Sequence, residues 1–135
     1  MTALLDEAAL RALAFEMGSG LALRAVIWLE GDLGAGKTTF VQSLVRGLGV
    51  TATATSPTYA LVHHYDGREG PVDHVDCYRL GRPEEAYDLD WETLQLGAAL
   101  LIEWPDRAGQ WAPRATRRVA LAHTPNPDVR RVEIS

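Results

Sequence analysis

Apolar positions along this chain alternate between two spacings. Leu10, Leu13, Ala14 and Met17 fall at i, i+3, i+4 and i+7, which is one face of an α-helix. With Thr2 as a cap, Asp6 and Glu7 early, and Gly18 and Gly20 past the end, the pattern predicts a helix over 2–17. "AVIWLE" (25–30) is a short unbroken run rich in β-formers, which predicts a buried strand. "TTFVQSLVRGLG" (38–49) returns to helical spacing through Phe40, Val41, Leu44, Val45 and Leu48, with Gly49 as its stop.

"YALVHHY" (59–65) and "VDHVDCY" (72–78) are separated only by "DGREGP". A link that short allows an antiparallel hairpin and excludes a parallel crossover. A helix follows over 83–96 with Pro83 at its start, then a buried strand over 98–104. "RRVALAH" (117–123) and "VRRVEI" (129–134) flank "TPNPD" as a second hairpin. The sum is an α/β fold: one domain over 1–135, with a mixed, mostly parallel sheet flanked by helices and extended by antiparallel hairpins.

Composition agrees with one domain, since 135 residues that are 47% hydrophobic can bury a real core. The net charge of −5 argues against a surface built as a whole for polyanions. Residues 107–135 nevertheless carry six arginines against two acids. That stretch reads as solvated strand faces balancing an acidic body, or else as a docking patch for an acidic partner or RNA. The single cysteine, Cys77, forbids an internal disulfide, reads as a buried small hydrophobe and favours an intracellular setting. Acids at Asp6 and Glu7 are unlike a signal peptide, and "LGAALLI" is too short to cross a bilayer. A cytoplasmic protein without membrane contact is expected.

The chemistry concentrates in "EGDLGAGKTT" (30–39), which holds the only lysine of the chain. Gly31, Asp32, Leu33, Gly34, Ala35, Gly36, Lys37 and Thr38 fit the phosphate-loop pattern G-x-x-x-x-G-K-[ST], with a strand before and a helix after. Glycines let the backbone turn its N–H groups onto phosphate oxygens, and the helix start adds partial positive charge. Lys37 must reach the β- and γ-phosphates as a compact charge, which a forked guanidinium cannot do. The fold class thereby narrows to a P-loop NTPase-like domain with a nucleotide and Mg²⁺ as cofactors. Thr38 supplies a hydroxyl to Mg²⁺ and Thr39 closes on phosphate.

The metal then needs a carboxylate at the end of a neighbouring strand. Glu103 ends the apolar run "AALLI" and is favoured for the metal shell, directly or through water. Asp76 ends "DHVD" and is assigned to water positioning or support, although either acid can serve the metal. Lys37, Asp76 and Glu103 are therefore the catalytic candidates. Ser56 and Thr58 of "SPTY" (56–59) lie where P-loop switch proteins sense the γ-phosphate, and Trp104, next to Glu103, is a candidate neighbour of the nucleotide or else a core tryptophan. Residues 123–127 are candidates for meeting the base. The four histidines read as ordinary hydrogen-bonded side chains rather than a transition-metal site. Arg79 is either a phosphate partner or a carboxylate partner.

In order and spacing, "GDLGAGKTTF", "SPTY", "HVDCYRL" and "LIEWPDR" closely resemble the TsaE (YjeE) family, small bacterial ATPases needed for threonylcarbamoyladenosine (t6A) modification of tRNAs that read ANN codons. The resemblance runs from about residue 5 to the C-terminus. It implies ATP as the nucleotide, slow Mg²⁺-dependent hydrolysis, and TsaB and TsaD homologues as partners, whose complex the protein resets or regulates. TsaD carries the transfer chemistry, and tRNA is touched only indirectly or weakly. Lys37 and Thr38 match the phosphate and Mg²⁺ ligands, Glu103 a Mg²⁺ carboxylate, Asp76 the functional acid, and Trp104 the family tryptophan. Tyr59 and Asp106 depart mildly from the pattern, and "TPNPDVRRVEIS" matches loosely. Two alternatives remain: a small-molecule kinase on the same loop, and a nucleotide-gated binding module with negligible turnover. A GTP switch lacks its N-K-x-D element.

Overall fold

A computed structural model describes residues 1–51 and 62–135. Its sheet has seven strands in the order β1-β7-β6-β2-β5-β4-β3. These are β1 (Thr2–Asp6), β2 (Ala25–Glu30), β3 (Val62–Gly67), β4 (Gly70–Asp76), β5 (Ala99–Glu103), β6 (Arg117–His123) and β7 (Val129–Ile134). The helices are α1 (Glu7–Ser19), α2 (Lys37–Gly47), α3 (Trp91–Leu94) and α4 (Pro105–Ala108). Strand pairing is parallel through β6, β2, β5 and β4, and antiparallel where β1 and β7 extend one side and β3 the other. The mostly parallel sheet expected from the sequence is thus parallel only in its centre, where strands are covered on both faces.

That centre explains why β2 and β5 are apolar at nearly every position. On one face Ile27, Leu29, Leu101, Val119 and Val132 pack against Leu10 and Ala14 of α1 and Phe40, Val41 and Leu44 of α2. On the other, Val26, Val75, Leu100 and Ile102 meet Ala86, Trp91, Leu94 and Ala108. Among the described residues no helix is long and apolar enough to cross a membrane.

Two predicted helices differ from the structure. The first begins at Glu7, because residues 2–6 form β1 against the otherwise open edge of β7, with Leu4 opposite Arg131. Its cap is Asp6, whose Oδ1 accepts from the Ala9 N–H at 2.8 Å, and not Thr2. A residue set that would suit a helix yields there to inter-strand hydrogen bonding. The second, over 83–96, is broken into a 3₁₀ turn at Pro83–Asp88 and the single turn α3. Leu89 is extended, and Asp90 restarts the helix by accepting from the Thr93 N–H at 3.2 Å and hydroxyl at 2.7 Å.

Helices α1 and α2 cross where each carries a glycine. A methyl added at Gly18 would strike the Leu44 carbonyl, and one at Gly47 the Phe15 carbonyl. Gly47→Ala should therefore lower stability in urea unfolding by about 1–3 kcal/mol, the usual cost of overpacking. Gly20→Ala, which meets only ordinary van der Waals contact, should change it by roughly 0.5 kcal/mol or less. Equal midpoints for the two variants would contradict the close crossing.

Candidate functional site

The centre of the sheet brings the predicted residues to one edge. In register, Leu29 of β2 lies beside Glu103 of β5, and Glu103 beside Asp76 of β4. The loop between β2 and α2 starts one residue beyond Glu30, so phosphate loop and both acids share the carboxyl ends of adjacent parallel strands. Open α/β sheets bind ligands in that position.

Two glycines make the turn possible. Gly31 has φ 147° and stands so close to Leu121 that a side chain would meet its carbonyl. Gly36 caps α2 in the left-handed region at φ 109°, which a side chain disfavours. The first N–H groups of α2 have no helical acceptor and point past Gly36.

Lys37 is buried, with 6% of its surface exposed. Its Nζ donates to the Gly31 carbonyl and, at 3.0 Å, to that of Asp32, and lies 4.4 Å from the Trp104 ring centre. Burial lowers its pKa, and the charges of Glu103, Asp76 and Asp32 pull the other way. Three nearby acids thus favour the charged form in a place that desolvates it.

A hollow of about 270 Å³ collects Leu33, Gly34, Gly36, Lys37, Thr38 and Thr39 from the loop with Asp76, Glu103 and Trp104. Gly31, Asp32 and Ala35 stand behind it: two accept from Lys37, and Ala35 is fully buried. Ser56 and Thr58 lie outside the described residues. Cys77 is buried, as its sequence reading required. Arg79 is exposed and does not line the hollow.

The acids are held differently. Asp76 Oδ1 accepts the Tyr78 N–H at 3.0 Å, whereas Glu103 Oε2 accepts from His74 Nε2 at 2.6 Å. Trp104, next in chain, is left-handed at φ 55°, an uncommon conformation for a bulky residue and one found at functional sites. Its ring meets Tyr78 at 5.2 Å, and the Arg107 guanidinium lies over both, 4.7 Å from Tyr78 and 5.1 Å from Trp104.

Sequence reasoning missed Tyr78, Arg107, the His74 bond and a second hollow. This one, about 460 Å³, is lined by Asp6, Leu10, Pro127, Asp128 and Arg130, and it shares Gly36 and Thr39 with the first. The i, i+2 spacing of His74 and Asp76 did place them on one face; the partner of His74 required the neighbouring strand. A hydroxyl and two carboxylates with room for phosphate oxygens suit Mg²⁺, which takes oxygen ligands and keeps waters. Thr38, Glu103 and Asp76 therefore fit that ion as a set.

The chain is similar to known proteins. A family profile described as threonylcarbamoyl adenosine biosynthesis protein TsaE matches residues 4–132. Proteins named tRNA threonylcarbamoyladenosine biosynthesis protein TsaE are 43% identical in Nostoc sp., over 67% of this chain and 59% of that one. In Bacillus subtilis the identity is 35%, over 71% and 60%. In Haemophilus influenzae it is 34%, over 81% and 68%. The chain spans about three fifths of the length of the first two relatives. The crystal structure of Bacillus subtilis YdiB superposes with a TM-score of 0.80 at 25% identity, over 98% of this chain and 82% of that one.

Cys77 gives a check on the site's packing. Burial first, then the negative charges of Asp76, Asp106 and Glu103, push its thiol from 9.0 up to about 12. Folding therefore holds the proton to higher pH than the unfolded chain does, so this contribution to stability is complete below pH 9.0 and is lost as pH rises toward about 12. At about pH 8 a thiol reagent should leave the native protein unmodified and react readily with the urea-unfolded chain. Equal rates would place the thiol at the surface.

Proposed function

The chain belongs to the TsaE family, and from that premise we propose that it is a slow Mg²⁺-dependent ATPase serving tRNA t6A biosynthesis. Its nucleotide cycle resets or regulates a cytoplasmic complex of TsaB and TsaD homologues, which carries the transfer chemistry. One observation carries the reading: Lys37, Thr38, Asp76 and Glu103, from three separate segments, line one hollow at the mouth of a phosphate loop.

In this reading Lys37 exchanges the carbonyls of Gly31 and Asp32 for β- and γ-phosphate oxygens, while the N–H groups at the start of α2 bind the phosphates. Thr38 and Glu103 would hold Mg²⁺, which would supply positive charge to neutralise the phosphates. Asp76, fixed by the Tyr78 N–H, orients the attacking water. Positioning and charge stabilisation supply the catalysis, without a covalent intermediate. The second hollow supports a place for the nucleoside: it shares Gly36 and Thr39 with the first, and Pro127 brings part of the 123–127 turn to its wall.

Lys37→Ala should weaken ATP binding by calorimetry roughly 100-fold or more, and Thr38→Ala or Glu103→Gln should cut phosphate release about 10²-fold. Wild-type heats from the Lys37 variant would remove the loop from consideration. Release should also rise when TsaB and TsaD are added; rates indifferent to them would detach the ATPase from that complex. Parallel assays with GTP measure base preference.

A further inference from the structure

Glu103 is the most confined acid of the site, with 6% of its surface exposed. A buried carboxylate needs a partner to remain charged. Lys37 is close enough for its charge to count, yet the lysine is required to move toward phosphate. The one direct hydrogen bond to the Glu103 carboxylate among the described residues comes from His74.

Three features fix that histidine. It lies on β4 opposite Leu101 of β5, one pleat behind the Asp76–Glu103 pair, so its ring reaches diagonally across the strands on the face that holds the site. It is itself buried, at 9% exposure. On its far side His63, its cross-strand partner on β3, stacks at 5.6 Å with 27° between ring planes. A carboxylate only accepts, so the contact puts the proton on Nε2 and engages Oε2 alone.

We propose that His74 is a positioning residue for Glu103, locking one carboxylate oxygen so that Oε1 is presented to Mg²⁺ or its water in a single orientation. Hydrogen-bonded supports of metal-binding carboxylates cost about 10–100-fold in metal affinity or activity when removed. The proposal rests on the ATPase reading for what Glu103 does, and its test separates the two. His74→Leu removes the donor at similar bulk, whereas His74→Gln keeps an N–H near the same reach.

Three measurements bear on it. The tightening of ATP binding by Mg²⁺, taken as the ratio of Kd without and with the ion, should fall about tenfold in His74→Leu and return in His74→Gln, with metal-free Kd unchanged. Hydrolysis at saturating ATP should follow the same order. In the protein alone, long-range ¹H–¹⁵N spectra should show His74 protonated at Nε2, with ring signals that shift in Glu103→Gln.

An unchanged Mg²⁺ ratio in His74→Leu, or ring signals indifferent to Glu103→Gln, overturns the proposal. Should His74→Leu fail to fold, the Gln variant and the ring signals decide it. Absence of phosphate release from the wild type would instead sink the ATPase reading, and the Mg²⁺ ratio would still judge the histidine.

Discussion

Three parallel strands that end at the same level carry everything else in this molecule. β2 delivers the chain into the phosphate loop, β5 ends on Glu103, and β4 ends on Asp76, each paired in register with the next. Parallel hydrogen bonding between strands buried on both faces keeps those ends fixed relative to one another. A slip of one residue in β5 would turn Glu103 away from Lys37 and drive Ile102 toward the hollow, because side chains alternate between faces. Site geometry is thus a property of strand register, held by the apolar layers above and below.

Charge is arranged around a cost that the core imposes. Lys37 loses hydration among Gly31, Asp32 and Trp104, and nearby acids oppose only part of that loss. The acids are in turn tied to neutral or weakly basic groups, the Tyr78 N–H and the His74 ring. Among the described residues, no acid in the hollow is paired to arginine. Lys37 is thus held by the backbone carbonyls of the loop, and the two carboxylates by a backbone N–H and an imidazole.

The antiparallel additions have a separate role. β1 and β7 extend the sheet and bring Asp6, Pro127, Asp128 and Arg130 to the second hollow, beside the start of α2. Arg130 donates to the Gly34 carbonyl at 3.3 Å and to that of Pro127 at 2.7 Å, so the end of the chain braces the phosphate loop. The arginine-rich C-terminal stretch accordingly includes at least one residue turned inward to the site, alongside exposed ones such as Arg117, Arg118 and Arg131.

Sequence alone determined the loop, its flanking strand and helix, the alternation of sheet and helix, the buried cysteine and the family resemblance. Those features are written in local spacing: glycines where φ turns positive, an apolar period of 3.6 residues or an unbroken run, a carboxylate closing a strand. Only tertiary structure decided that residues 2–6 are a strand, since Ala3, Leu4 and Leu5 carry no local β signal and pair because β7 would otherwise expose its edge. It also decided that His74 belongs to Glu103 and Arg107 to Tyr78. Each of these pairs lies 29 residues apart in sequence, and no local period encodes which neighbour a packed sheet will supply.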